Sequence, residues 1–229
     1  MSGVKLETLT SSEAIERFAG ERRLRLPSIL EEETCRNWAE ALRDRRDWAL
    51  AMSLGGQQAR IGQDRWNATA PEERRDLLRQ LHGEAADGRG FLYETIPLET
   101  FRAGPLAGIR EELEAEDVLS AISELTGERV TGVSAQATRY RPGHYLTRHR
   151  DDPEGESRRF AYVLSLTGNW HPDWGGLLQF FETDGTPRDA WPPGFGSLAL
   201  FDVREIHSVT YVTPWARAPR LSVTGWFSA

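Results

Sequence analysis

The stretch Arg220-Leu221-Ser222-Val223-Thr224-Gly225-Trp226-Phe227 alternates between two kinds of side chain. In an extended strand, a period of two places Arg220, Ser222, Thr224 and Trp226 on one face and Leu221, Val223, Gly225 and Phe227 on the other. A polar face with an arginine opposite an apolar one is backwards for a simple two-sheet core. It fits a strand whose polar face lines a ligand cavity while its apolar face packs beneath helices.

Other strand-like segments, rich in Val, Leu, Phe, Tyr and Thr, lie near 133–141, 159–167, 176–182, 196–202 and 207–212. The turn signals Arg141-Pro142-Gly143, Asp184-Gly185 and Pro192-Pro193-Gly194 separate them. Before Gly127 helical periods dominate. A short helix is expected over 12–19, opened by Ser11 or Ser12. Another is expected over 29–44, with Ile29, Leu30, Cys35, Trp38, Ala39 and Leu42 at helical spacing. A third has Thr69 as N-cap, Pro71 in its first turn and Leu77, Leu78 and Leu81 as its stripe. A fourth runs from Pro105 to about Thr126, with Gly127 as C-cap. Residues 45–68, with Trp48, Gly55-Gly56 and Trp66, fit no period and predict a hairpin or mobile loop.

Helices followed by regularly spaced strands give an α+β class rather than alternating βαβ units. The expected architecture is a double-stranded β-helix (jelly roll) over 131–229, buttressed by a mainly helical 1–130 and packed with it as one unit.

With 229 residues, 39% hydrophobic and 28% charged, the chain has the composition of an ordinary globular protein. Its net charge of −7 weighs against a nucleic-acid or anionic-membrane partner. No run approaches the roughly 18–20 apolar residues needed to span a bilayer. The polar start of the sequence lacks the apolar region of a secretory signal, so a cytoplasmic location is expected. Cys35 is the only cysteine, which excludes an intrachain disulfide and a cysteine-based metal site. Lys5 is the only lysine and every other Lys/Arg position is an arginine, which limits the side chains that can hold a carboxylate.

The chemistry-bearing residues centre on His149-Arg150-Asp151. Residues i and i+2 project to one side of an extended segment, so both can reach one metal ion. The third ligand candidate is His207, which follows the strand-like Leu198-Ala199-Leu200-Phe201-Asp202. Two imidazoles and a carboxylate on one face of an octahedron leave three positions open, suited to Fe(II) with a bidentate keto acid and O2. The distal carboxylate of 2-oxoglutarate then needs a buried cation. Arginine serves because its planar fork grips a carboxylate bidentately and keeps its charge. Arg220 is the candidate, with hydroxyl help from Ser222 and Thr224. Arg217, in the turn Pro214-Trp215-Ala216-Arg217-Ala218-Pro219, is the alternative.

Tyr140-Arg141-Pro142-Gly143-His144-Tyr145-Leu146-Thr147-Arg148-His149-Arg150-Asp151-Asp152 resembles the first metal-binding strand and loop of prolyl-4-hydroxylase-like Fe(II)/2-oxoglutarate-dependent oxygenases. Arg159 to Thr167, Asn169-Trp170, Gly175-Gly176-Leu177-Leu178, Ser197 to Phe201, His207-Ser208-Val209 and Arg220 to Phe227 continue the pattern in order. The resemblance implies a dioxygenase that hydroxylates a C–H bond, with a prolyl residue in a protein or peptide as the expected substrate. It implies His149, Asp151 and His207 as the Fe(II) ligands and Arg220 and Thr224 as the grip on the distal carboxylate. Tyr140 is implied as a hydrogen-bond partner of the co-substrate near the metal, and Trp226 as a cavity wall. It also shows a departure: many relatives place a tyrosine on the distal carboxylate where this chain has Ser165.

Alternatives are a small-molecule hydroxylase using the same chemistry and a non-catalytic jelly-roll binding or sensor module. Nucleic-acid demethylases typically carry a second arginine just after the co-substrate arginine, and Leu221 to Ala229 holds none. Of the other histidines, His144 reads as a loop residue, His171 as part of a rim-like turn, and His82 as the end of a helix. Segments 45–68 and 170–174 are the candidate rims for an extended peptide.

Overall fold

The apolar face of the 220–228 strand needs a helical layer to cover it, and its polar face needs an opposing sheet. Both are present in a computed structural model describing residues 3–152 and 157–229. The strands are β1 (Arg23–Leu26), β2 (Ala49–Leu54), β3 (Gln57–Gly62), β4 (Phe91–Pro97), β5 (Gly132–Val133), β6 (Gln136–Tyr140) and β7 (Tyr145–His149). They continue as β8 (Arg158–Ser165), β9 (Leu178–Phe181), β10 (Pro187–Trp191), β11 (Leu198–Asp202), β12 (Ile206–Val209) and β13 (Arg220–Ser228). The helices are α1 (Leu6–Leu9), α2 (Ser12–Glu21), α3 (Glu32–Arg43), α4 (Gln63–Ala68), α5 (Pro71–Ala86), α6 (Pro105–Glu114) and α7 (Glu116–Thr126).

The strands form a nearly closed antiparallel sheet with two faces that oppose each other. One half runs β1-β11-β8-β13-β6-β4 and the other β7-β12-β9-β10. From β6 to β13 the chain passes back and forth between the halves, which is the winding of a jelly roll. β4 joins them, pairing with β6 through Glu94 to Pro97 and with β7 through Phe91 and Leu92. The hairpin β2–β3 extends the sheet beyond β4.

Leu221, Val223 and Phe227 lie in the main core with Phe160, Leu164 and Leu200 of the same sheet. Phe18, Trp38, Leu42, Ile109, Ile122 and Leu125 cover them from the helices. Each large side chain buried there contributes about 1.5–3 kcal/mol relative to exposure. Gly225 is required by close packing: a Cβ there would stand 1.9 Å from the Ser134 carbonyl oxygen and 3.0 Å from the Tyr162 hydroxyl.

α2 begins as its sequence dictates, with the Ser11 hydroxyl accepting from the Ala14 amide at 3.3 Å. Gly127 ends α7 at φ 70°, its amide donating to the Ser123 carbonyl. Residues 45–68 contain a hairpin that turns at Gly55-Gly56 and continues into α4.

Several local expectations need correction. Ile29 and Leu30 precede α3 instead of lying in it, because Leu30 is bridged to Val4. Thr69 does not cap α5; its hydroxyl bonds back to the Arg65 carbonyl at 2.9 Å and closes α4. The stretch 105–126 is two helices, broken where Ala115 turns extended at ψ 138°. α5 continues to Ala86, so His82 does not end it and instead packs on Tyr145 and Tyr211. The first half is mainly helical but also supplies β1 and β4, which sequence periodicity did not reveal. β10, with its proline and charges, was likewise unexpected. Among the described residues no helix is long and apolar enough to cross a membrane.

Candidate active site

His149 ends β7 and His207 sits on β12, where the two are register partners. Their ring centroids are 4.2 Å apart. Asp151, two residues past His149, is tied down by its amide donating to the Val203 carbonyl at 2.9 Å. Its carboxylate lies 3.4 Å from His149 Nε2 through one oxygen and 3.6 Å from His207 Nε2 through the other. One candidate ligand atom from each of the three residues falls within 4.8 Å of the others.

The tautomers follow from the backbone. His149 Nδ1 is 2.9 Å from the Thr147 carbonyl and His207 Nδ1 is 2.9 Å from the Glu205 carbonyl. A carbonyl only accepts, so each Nδ1 carries a proton and each Nε2 is left facing Asp151 as the nitrogen that can ligate a metal. A hydrogen bond on the far nitrogen commonly holds a ligating imidazole in place at metal sites. Burial and the neighbouring His149 push the His207 pKa down to about 4, so its ring is neutral near pH 7. Burial also works against a charged His149, but the hydrogen bond and charge of Asp151 outweigh it and raise its pKa. Against its own burial, Asp151 is held below the ordinary carboxylate range by the two histidines. Together they make a clustered N,N,O donor set suited to a divalent transition metal.

These residues open into a cavity of about 850 Å³, also lined by Tyr140, Arg220, Thr224 and Trp226. The structure thus brings all six residues singled out for metal and co-substrate around one space. Arg220 is 3% exposed, and its Nε has no hydrogen-bond partner among the described residues. Burial lowers its pKa, and the guanidinium lies 5.1 Å from the Tyr140 ring centroid. A pair of hydroxyls facing each other across β6 and β13 is also buried with no partner among the described residues: Ser222 Oγ, and Thr138 Oγ1 at the register position opposite it. Buried polar groups are almost always satisfied. Arg220 and Thr138 line the cavity, so a guanidinium edge and a hydroxyl left open there, with Ser222 at the paired register position, mark a place for a ligand that brings its own acceptors. A carboxylate does so.

Ser165 is register partner to Ser222, but its hydroxyl accepts from the Thr167 amide at 3.3 Å and it does not line the cavity. Arg217 is exposed and also lies outside the lining. Tyr93 was missed by sequence reasoning because β4 was missed. It stacks on Tyr140 at 5.2 Å and lines the cavity. Ser53, Gly56, Gln58 and Arg60 place the β2–β3 hairpin at the mouth, whereas residues 170–174 do not line it. His171 is exposed, and His144, although in a loop, is buried.

Residues 135–228 match the 2OG-Fe(II) oxygenase superfamily. The chain is 26% identical over 228 residues to a Xenopus laevis protein named prolyl 3-hydroxylase OGFOD1, covering 90% of this chain and 42% of that protein. It is 29% identical over 134 residues to the mouse protein of that name, covering 55% of this chain and 24% of the relative. The chain therefore spans less than half the length of these relatives. Among solved structures, a Pseudomonas putida prolyl-4-hydroxylase superposes with a TM-score of 0.64 at 20% identity, covering 94% of this chain and 97% of that one. A Trichoplax adhaerens prolyl hydroxylase in complex with a hypoxia inducible factor oxygen degradation domain peptide fragment also gives 0.64, at 19% identity, covering 98% and 90%. These likenesses establish the jelly-roll fold.

Proposed function

We propose that this chain, a member of the 2OG-Fe(II) oxygenase superfamily through its residues 135–228, is a dioxygenase that hydroxylates a prolyl residue in a protein or peptide. The observation that carries the reading is the pairing of two features in one cavity. Two backbone-anchored imidazoles turn Nε2 toward Asp151, and Arg220 lies buried with Nε unpartnered. A hydrolytic metal site would leave Arg220 without a role, while a keto-diacid co-substrate uses both.

His149, Asp151 and His207 would hold Fe(II). Arg220 would pair with the distal carboxylate of 2-oxoglutarate, with Thr224 assisting and Tyr140 hydrogen-bonding nearer the metal. When bound, iron with 2-oxoglutarate and O2 supplies the oxidation of an unactivated C–H bond to an alcohol, with release of succinate and CO2. The chain's own residues set the conditions. The Thr147 and Glu205 carbonyls keep the imidazoles in their ligating tautomers. Tyr93, Tyr140 and Trp226 give aromatic walls that restrict water around the reacting centre. The β2–β3 hairpin at the mouth is placed to contact an extended substrate. The prolyl and peptide character of the substrate is supported by the names of the two curated relatives and by the peptide in the Trichoplax complex.

The first test is spectroscopic. Fe(II) and 2-oxoglutarate are added anaerobically to metal-free protein, with a visible metal-to-ligand charge-transfer band expected. Folded protein without that band sinks the co-substrate assignment. Peptides are then screened by mass spectrometry for one added oxygen on proline. Turnover confined to small molecules would overturn the substrate class while leaving the chemistry standing.

A further inference from the structure

The strands that wall the active-site cavity have a second side. Along β4, Tyr93 faces the first cavity while Leu92 and Glu94 line another; along β6, Thr138 and Tyr140 face the first and Arg139 the second. Alternation along a strand separates the two spaces by the thickness of one sheet. The second cavity has a volume of about 830 Å³, ample for a small organic molecule. No residue given a role above lines it.

Its walls combine three features. Leu50, Trp66, Leu78 and Leu92 supply an apolar surface. Beside it, Arg139 Nε donates to Glu94 Oε2 at 2.5 Å and Arg141 Nε donates to the same oxygen at 2.9 Å. Two guanidiniums share one carboxylate, so the group carries a positive charge that Glu94 does not balance. Glu94 and Arg139 are both buried, whereas the Arg141 side chain is half-exposed. Arg45 adds no net charge because Asp47 matches it. The third feature is His144, 8% exposed, whose Nδ1 is buried and has no partner among the described residues. Burial holds this ring neutral, with its pKa depressed to about 4, and its proton is drawn to the Arg139 backbone. Nδ1 is therefore an acceptor waiting for a donor.

We propose that this cavity is a binding site for a small amphipathic carboxylate that also carries an O–H or N–H. The acid group is balanced by Arg141 and the Arg139–Glu94 pair. The apolar body lies against Trp66 and its leucine neighbours, and the donor satisfies His144 Nδ1. Each part of the ligand answers one feature of the wall, and together they describe an anion unlike the short, fully polar keto-diacid proposed for the opposite side of the sheet.

The probes are 4-hydroxyphenylacetate, phenylacetate, which lacks the donor, and 4-hydroxyphenethyl alcohol, which lacks the acid. Binding is read by calorimetry on protein already saturated anaerobically with Fe(II) and 2-oxoglutarate, so that Arg220 is occupied. Saturable binding of 4-hydroxyphenylacetate is expected, with phenylacetate and the alcohol each at least about tenfold weaker. Arg141→Gln, at a half-exposed position, should weaken both acids by a similar factor and leave the visible charge-transfer band unchanged. His144→Leu should bring 4-hydroxyphenylacetate down to the affinity of phenylacetate. Three results each overturn the proposal: no saturable binding, binding insensitive to Arg141→Gln, or acids that bind only when 2-oxoglutarate is left out. The last would place the probes at Arg220 instead.

Discussion

Tyr140 and Arg220 stand opposite each other across β6 and β13, the guanidinium over the phenol ring at 5.1 Å. The π-face steadies a buried cation without consuming its hydrogen bonds, so Arg220 keeps its donors for a ligand. Arg220→Gln should therefore weaken 2-oxoglutarate by about 10²–10⁴-fold, from the roughly 3–5 kcal/mol attached to breaking a buried charge pair. Calorimetry with the metal-loaded protein would measure this. A loss under about threefold would move the co-substrate carboxylate elsewhere in the cavity.

Replacing His149, Asp151 or His207 singly by alanine should abolish succinate formation, lowering it by more than about 10²-fold, since even outer-shell changes at metal sites cost 10–100-fold. Circular dichroism should show the fold intact. Any one of the three that keeps near-native turnover is not a ligand.

Thr138→Val and Ser222→Ala should push stability and affinity in opposite directions. Each removes a buried hydroxyl that has no partner in the free protein, so each should raise ligand-free stability by about 1 kcal/mol. The same changes should weaken 2-oxoglutarate by up to about tenfold, because a hydrogen bond of roughly 0.5–1.5 kcal/mol is lost. Thermal melting with and without co-substrate separates the two effects. Destabilisation without any change in affinity would show that the hydroxyls serve the fold alone.

Asp202 governs the turn between β11 and β12, from which His207 emerges. It accepts from Arg204 at 2.6 and 2.8 Å and from Arg22 at 3.0 Å. Burial opposes its ionisation, yet these guanidiniums outweigh burial and hold its pKa at about 2. A carboxylate depressed on folding contributes stability that is fully present above its unfolded pKa, about 3.9, and lost as pH falls toward 2. Asp202→Asn should cost about 2 kcal/mol at pH 7, with melting lowered by about 4–8 °C. The gap from wild type should close between pH 4 and 2. A gap that persists at pH 2 would assign the effect to packing instead of charge.

The sequence announced the site better than the scaffold around it. His149 and Asp151 could be paired because an extended chain has a fixed period, and Arg220 because its strand alternates cleanly. Ser165 looked like a gap in the co-substrate pocket, but its hydroxyl is spent on the Thr167 amide. Tyr93 was hidden because Phe91-Leu92-Tyr93-Glu94 follows a glycine-rich turn and offers too short a period to read. The break at Ala115 leaves only one trace, the five-residue step from Leu113 to Val118 that turns the apolar stripe by about 140°, and a single helix read over 105–126 passes over it. Thr69 could have capped forward or closed backward, and only tertiary placement decides between such local bonds. The burial of His144 and its open Nδ1 depend on β4, α5 and the 211–214 loop coming together, which no local pattern encodes.

The arrangement of strands also sets the smallest piece of chain that can stand alone. The family match begins at residue 135, but β1 covers the outer edge of β11, and β4 covers β6 and clasps β7. Cutting at that residue would strip both flanks of the larger half-sheet and leave bare ladder edges prone to pair between molecules. Such a fragment should aggregate, whereas one that begins before Arg23 should remain monodisperse. The stretch that matches the family and the body that folds are different lengths of the same chain.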